Sequence, residues 1–537
     1  MAAYDRVVLP FGKWAPDEHF LAESGNLDVV ENLLYHDGAW ARVHTPFTLK
    51  SLAERHEPSA ALAWSDEGGS NRVAIGFADL AITNGHLFAY DIGAATLVDR
   101  CKLGHYQKSH WDFVKFGQSV IASNNLDPVQ LFNFTAASVD LITSTTKPKG
   151  KYLCACRGHV ILAYISAPAA NARQFRWSAL NNAANWEPGS NRSGFGEIPG
   201  DAGVITGLAG FEDFFLIFTT TSVYRASYIG GADVWSLQQV AGWHDGLPEG
   251  FDQSIIEVDR NAYYLGRSGP KAIFNGEAVR DLGVGSARRY LMDFGRSKKP
   301  VGTAVYIDRT IPFGARAWGA HDGFRQMVYW FWHSLTTEGT NFYWTSHLYG
   351  YSLKEDAFSY VSPESLSEVI GGFLVYYGPI FPRPGDTKMT GGREELGYGL
   401  CYVTSDDISA NQTLVKNLGG ATSYLNGVLY SKFWRPSNAK TSILAVRPLW
   451  RSQRDGGETN PLVTVTINEE QGGPTGSGSG SDVDDRGFIS FSTGPYAAAE
   501  FQFKVTISDN GGVPSAIRDF VGLELELSVE KSARGGD

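Results

Sequence analysis

One loose pattern recurs along this chain at a spacing that few folds accommodate: an apolar run, a turn, and a second short run ending in an aromatic residue. It is seen in GHLFAYDIG (85–93), SVIASNNLDPVQLFNF (119–134), HVILAYISAPAANARQFRWSAL (159–180), FFLIFTTTSVYRASY (214–228), NAYYLGRSGPKAIFNG (261–276) and FYWTSHLYGYSL (342–353). Each reads as strand, turn, strand. With Phe88, Phe132, Trp177, Tyr224, Phe274 and Tyr349 as landmarks, subtraction gives intervals of 44, 45, 47, 50 and 75 residues. Four near-equal intervals of about 45 residues match a four-stranded propeller blade, a small sheet that buries both faces against its neighbours and is unstable alone. The long last interval predicts an insertion near 280–325, where Arg288, Arg289, Leu291 and Met292 form a helix-like cluster. A β-sandwich or a string of hairpins is the competing architecture.

The texture changes on both sides of this repeat. Residues 1–60 are turn-rich, and after 405 the segments SILAVRPLW (442–450), PLVTVTINEE (461–470), FISFS (488–492), EFQFKVTIS (500–508) and VGLELELSVE (521–530) alternate cleanly. Such alternation marks a sheet with one wet face. The expectation is an all-β chain: a β-propeller of five to seven blades over 61–404, an antiparallel β-sandwich-like platform domain over 405–537, and an N-terminal segment, 1–60, that packs on the platform. Composition agrees, with 13% aromatic residues and 61 glycines but only 4 methionines and 19% charged residues, which suits aromatic-rich strands joined by glycine-bearing turns. GGPTGSGSGSDVDD (472–485) lacks an apolar anchor and reads as a flexible, solvated tip.

Function classes can be narrowed the same way. A formal charge of -11 argues against a protein whose main task is gripping nucleic acid, since that binding rests on Lys and Arg displacing counterions from phosphate. The N-terminus is interrupted by Asp5, Gly12 and Pro16 where a signal peptide needs an apolar stretch, and apolar runs such as VILAYI (160–165) fall far short of the ~20 residues of a membrane helix. Cys154 and Cys156, two apart on a strand, share a face and read as reduced structural thiols, because a lone Cys-x-Cys lacks the second pair zinc needs. Asp482 and Asp484 fail the spacing of a calcium loop, with Arg486 and Thr493 at ligand positions. Among the dispersed histidines, His105 and His110 read as interfacial or capping groups. Nucleophile-elbow, Walker and zinc-protease motifs are missing from the sequence. The expectation is therefore a non-enzyme with no cofactor, no metal and no catalytic residues. A carbohydrate-active alternative rests on Asp233 and Asp245 near Trp235 and Trp243, since paired carboxylates and aromatic faces are what glycan chemistry uses.

Three stretches carry a family resemblance. LPFGKWAPDEHFLAESGNLDVVENLLYHDGAWARV (9–43) resembles the opening of the tail nozzle, or tail tubular, β-propeller proteins of short-tailed bacteriophages, related to packaged-DNA stabilisation proteins, at Pro10, Phe11, Gly12, Trp14, Pro16, Asp17, Ser24, Gly25, Asn32 and Gly38. WDFVKFGQSVIASNNLDPVQLFNF (111–134) is similar to that family's blade segment. FRWSALNNAANWEPG (175–189) is similar to its Arg-Trp-Ser signature, at Arg176, Trp177, Ser178, Asn182 and Trp186. The likeness spans roughly 9–276. It departs in the C-terminal half, where YAAAEFQFKV stands in place of the Gly-Arg-Tyr strand of many relatives. The resemblance implies a structural virion protein, made in the host cytoplasm and built into the tail as a homo-hexameric ring around the DNA exit channel. Its implied partners are an adaptor ring protein, tail fibre or spike proteins, and double-stranded DNA in transit, with no membrane-spanning segment. Trp14, Pro16, Asp17, Asn125, Trp177 and Trp186 are then scaffold: Trp14 anchors the N-terminal segment, Asn125 closes a turn and Trp186 fills a blade interface. A channel wall that lets DNA pass should be net negative, which makes Asp482, Asp484 and Asp485 a candidate channel-facing acidic tip.

Overall fold

The structure, a computed structural model, describes residues 5–283 apart from 16–25, 44–46, 53–55, 66–70, 80–83, 92–93, 103–105, 108, 142–146, 232 and 242–245. Beyond these it describes 306–307, 317–323, 325–338, 341–361, 367–368, 377–382, 400–404, 413–417, 425–432, 441–450, 462–469, 476–481, 489–490, 496–498, 501–508 and 520–529. Among the described residues there is no α-helix, only three single-turn 3-10 helices, so no helix is long and apolar enough to cross a membrane.

Consecutive strands pair with their neighbours to give small antiparallel sheets, and the innermost strands of these sheets meet in a circle. In order the inner strands are His56–Ser65, Asp112–Phe116, Lys149–Cys156, Ile205–Gly210, Ile256–Val258, Ala317–Asp322 and Tyr377–Pro382, the last lying against the first. The described residues therefore form a seven-bladed β-propeller. Six blades are local meanders. The seventh is not: its strands Tyr377–Pro382, Leu400–Thr404 and Thr413–Asn417 are completed by Phe47–Leu52 from near the N-terminus, paired antiparallel to Thr413–Asn417. All six aromatic landmarks fall on the third strand of successive blades, which is why their spacing reports the blade length. The strand Phe47–Leu52 and half of the strand His56–Ser65 lie before residue 61, inside the ring rather than the platform. The helix-like cluster at 288–292 lies outside the described residues.

Apolar side chains fill the gaps between blades. Trp111, Val120 and Phe132 of blade two pack with Trp64 and Leu87 of blade one, and Trp186 joins Ile121 of blade two to Leu153 and Leu162 of blade three. Near the axis the blades approach so closely that a side chain does not fit: a Cβ on Gly210 of blade four would lie 2.3 Å from the Ala155 carbonyl oxygen of blade three. Carboxylates bridge the same gap. Asp112 of blade two accepts the Leu153 N–H of blade three at 2.7 Å, and Glu257 of blade five accepts the Gly210 N–H of blade four at 2.6 Å.

The platform is a sandwich made from both ends of the chain. Its first sheet contains Leu33–His36, Ala39–Arg42, Phe520–Val529 and Thr441–Trp450, with Asp5–Pro10 also paired to Phe520–Val529. The second contains Leu27–Glu31, Gly427–Ser431, Phe501–Ser508, Leu462–Glu469 and Gly476–Ser481. Alternating inward residues such as Val463, Val465, Phe503 and Val505 share one core with Trp40, Leu523 and Leu525. The first sheet continues without a break into blade six, because Leu33 pairs with Tyr360 of that blade's outer strand.

One expectation is corrected. Gly476–Ser481, within the segment read as a flexible tip, is a strand paired residue for residue with Leu462–Ile467. A strand needs only backbone donors and acceptors, and the free edge of Leu462–Glu469 supplies them without an apolar anchor. Asp482, Asp484 and Asp485 lie outside the described residues.

A candidate ligand cleft at the rim of blades three and four

Phe175 and Trp177 alternate on the third strand of blade three, so both rings project from one face. The partner strand Gly194–Glu197 places Gly196 opposite Phe175 and Gly194 opposite Trp177. A Cβ at either glycine would collide with the ring facing it, at 2.6 Å for Gly196 and 2.7 Å for Gly194. The Gly-Phe-Gly sequence thus lets two aromatic rings lie over bare backbone. Blade four contributes Trp235, whose ring lies 6.5 Å from Trp177, 4.9 Å from Phe215 and 5.3 Å from Tyr228, all nearly edge-on. Edge-to-face packing of this kind holds large rings in fixed orientations.

Phe175, Trp177 and Trp235 floor a cleft of about 800 Å³ between the outer strands of the two blades. Its mouth carries exposed apolar groups, Phe195 at 54%, Ile229 at 58% and Leu237 at 36%, an unusual concentration for a surface where large hydrophobics are otherwise sparse. Polar groups stand around them. Arg192 donates to the Tyr228 hydroxyl at 2.6 Å across the blade junction, Arg173 pairs with Glu197 at 2.8 Å, and Asp233 is exposed at the edge. The Arg176 guanidinium lies 5.5 Å from the Phe195 ring centroid. A concave apolar floor with a few charged groups at its rim suits a ligand with both an apolar face and hydroxyls.

Of the scaffold residues read from sequence, Trp177 belongs to this cleft, with its indole N–H donating to the Arg192 carbonyl at 2.6 Å. Trp186 sits apart, fully buried between blades two and three, and donates to the Ala183 carbonyl at 2.8 Å. Asn125 adopts φ +67°; its N–H donates to the Gly150 carbonyl and its own carbonyl accepts from Ser166, so the turn also ties blade two to blade three. Trp14 is buried in the platform with its indole N–H toward the Asp28 carbonyl at 3.2 Å. Pro16, Asp17, His105, Trp243 and Asp245 lie outside the described residues, so Asp233 is seen here without the partner carboxylate proposed for it. Phe195 and Glu197 went unnoticed in the sequence, although the alternating Gly-Phe-Gly beside an aromatic strand is a usable signal. Cys154 and Cys156 are free thiols buried on one face, as their spacing predicts, and burial pushes Cys156 up to about 12 and Cys154 well above the ordinary thiol value. Among the described residues the group with metal-ligand chemistry lies elsewhere, in blade one, at His86, Asp99 and Cys101.

No family model matches the chain, and no curated protein matches it. Among solved structures it is similar to the β-propeller domain of Myceliophteria thermophila Cps50 (Swd1), at 9% identity and a TM-score of 0.35 over 67% of this chain and 99% of that one. A likeness so distant carries no information on activity or partners.

Proposed function

We propose that this chain is a structural subunit of the tail nozzle of a short-tailed bacteriophage, forming a ring, expected to be a hexamer, around the DNA exit channel and holding fibres or spikes at its side. Within the chain, the observation that carries the reading furthest is the unbroken sheet running from blade six through Leu33↔Tyr360 into the platform. Modules that meet at Tyr360, where the Asn32 N–H donates to its carbonyl at 2.9 Å, and that share one apolar core are tied more firmly than by a linker, which suits a part that must keep its shape while DNA passes. The family-like segments at 9–43, 111–134 and 175–189 support the same reading. On it the subunit is not an enzyme, and it acts in the virion tail beside an adaptor ring. Single-particle imaging of virions and of the purified protein tests it: the expected result is a ring of propellers at the tail tip, and a stable monomer with no ring in the virion overturns it.

The rim cleft favours a second reading, glycan binding, because aromatic faces and rim carboxylates occur there together. Retention on host polysaccharide that is lost in Phe195→Ala supports binding. Release of reducing sugar, abolished by Asp233→Asn or Asp245→Asn, extends the reading to hydrolysis. No retention and no release removes it.

A further inference from the structure

We infer that blade one carries a transition-metal site, with zinc as its expected occupant, formed by His86, Asp99 and Cys101. The inference is independent of the nozzle reading.

The sheet register brings the three residues together. The third strand of blade one, Asn84–Asp91, pairs with Thr96–Asp99 so that Phe88 faces Asp99. The ladder continues beyond that strand, since the Arg100 N–H donates to the Leu87 carbonyl at 2.7 Å, and this sets Cys101 opposite His86. Residues directly opposite in an antiparallel pair point to the same side, as do residues two apart. His86, Asp99 and Cys101 therefore project from one face of one hairpin.

Their ligand atoms are already gathered. His86 Nδ1 lies 3.3 Å from Asp99 Oδ2 and 3.8 Å from Cys101 Sγ, and all three atoms fall within 4.8 Å of one another. Metal–ligand lengths for tetrahedral zinc require separations of roughly 3.3–3.6 Å between such atoms. Side-chain rotations that shift the ligand atoms by about 1 Å close the difference. A thiolate, an imidazole and a carboxylate form a donor set for zinc or its first-row neighbours, and a poor one for magnesium or calcium.

The surroundings orient each donor as outer-shell groups do in metal sites. The Leu87 N–H points at Cys101 Sγ at 3.2 Å, and the Cys101 N–H holds the other Asp99 oxygen at 2.7 Å. The two Asp99 oxygens are held separately, Oδ2 by His86 Nδ1 at 3.3 Å and Oδ1 by the Cys101 N–H. The His86 ring packs against His56, with centroids 5.0 Å apart, and against Phe88 at 6.1 Å. Sγ also lies 3.8 Å from the Gly85 carbonyl, and the Asp99 side chain is 38% exposed, so solvent can supply a fourth ligand. Bound metal would staple the outer strand of blade one to the strand that carries His86.

Cobalt(II) titration of the reduced full-length chain tests the site, because thiolate ligation gives a near-ultraviolet charge-transfer band. The expected result is one cobalt per chain with that band, displaced by zinc. Cys101→Ser should abolish the band. His86→Gln and Asp99→Asn should weaken affinity by more than the roughly 10–100-fold that loss of an outer-shell partner causes. Circular dichroism on each variant checks folding, and His86→Gln keeps the test decisive if Cys101→Ser does not fold, since it leaves the thiol in place. Absence of a thiolate band, unchanged affinity in folded His86→Gln, or a band that persists in Cys101→Ser and disappears only when Cys154 and Cys156 are replaced overturns the inference.

Discussion

Blades two to five and the platform are both built from antiparallel sheets with aromatic cores, but they are closed by different means. Each of those blades is a meander in which every strand pairs with its sequence neighbour, so register is set by local connections, the longest of them residues 178–193 in blade three. The platform, like blade seven, depends on pairs that are remote in sequence: Asp5–Pro10 with Phe520–Val529, Leu27–Glu31 with Gly427–Ser431, and Phe47–Leu52 with Thr413–Asn417. In the first region the fold is a sum of local choices stacked side by side. In the second it exists only when the two ends of the chain meet, and loop-closure entropy opposes that meeting.

The sharpest way to break the comparison is to remove one of those ends. A chain beginning at residue 53 keeps the inner strands of all seven blades but loses every N-terminal strand of the platform and the closing strand of blade seven. It is expected to lose cooperative thermal unfolding and to expose apolar surface to a dye. A melt as sharp as that of the full chain would show that the blades hold themselves closed.

Paired tryptophan replacements come next. Trp186→Ala between blades two and three, and Trp40→Ala in the platform, each remove a fully buried ring and should cost about 3–5 kcal/mol. Their reach should differ. Hydrogen exchange should rise only in blades two and three for the first. For the second it should rise together in both chain ends and in blade six, because the sheet is shared. Equal spread in the two variants would erase the distinction drawn above.

Gly210→Ala probes the axis, where the added methyl would meet the Ala155 carbonyl and amide of the neighbouring blade. Overpacking against backbone should cost about 1–3 kcal/mol, read as a lower denaturation midpoint. The axis also sets a pH response. Burial, reinforced by the charge of Asp252, pushes the Asp112 carboxyl up to about 7 from an ordinary 3.8, against hydrogen bonds from Leu153, Gln253 and Phe113. Between those values the folded chain holds a proton that the unfolded chain has lost. The contribution of this group is therefore full below about pH 4 and is lost as pH rises through 7. Asp112→Asn should flatten that part of the decline in melting temperature between about pH 4 and about pH 7; an unchanged slope would assign the response to other groups. Glu257, reachable by solvent yet ringed by protein at the axis, is shifted by its enclosure in the same direction, also to about 7. The smallest effect is expected at the rim, where both members of the Arg173–Glu197 pair are more than a third exposed and Arg173→Ala should change stability by no more than about 1 kcal/mol.

What the sequence discloses follows the same division. The blade period was legible because an aromatic, half-buried at Phe274 and buried at the other five landmarks, recurs on the third strand of six blades, from Phe88 to Tyr349. The seventh escaped because its third strand, TLVKN at 413–417, has no aromatic and its outer strand comes from the other end of the chain. The platform strands were legible from alternation in segments such as EFQFKVTIS. Gly476–Ser481 was not, since its pairing rests on backbone alone. In the rim cleft Trp177 and Trp235 stood out by type, whereas Phe195 and Glu197 gain meaning only from the register that sets their strand beside Asn171–Trp177. His86, Asp99 and Cys101 match no ligand-spacing motif, because a hairpin register rather than a helix turn or zinc knuckle brings them together.

The borrowed strand of blade seven also imposes an order on synthesis. Phe47–Leu52 leaves the ribosome early, but its partner Thr413–Asn417 is not made until some 360 residues later. At about 5–20 residues per second that delay is on the order of 20–70 s, during which an apolar-edged strand waits beside a half-built ring. Such a strand is a template for pairing with a neighbouring nascent chain. Chains translated from one message at high density should therefore misassemble more often than sparsely translated ones, an outcome that comparing soluble yield at matched total synthesis would reveal.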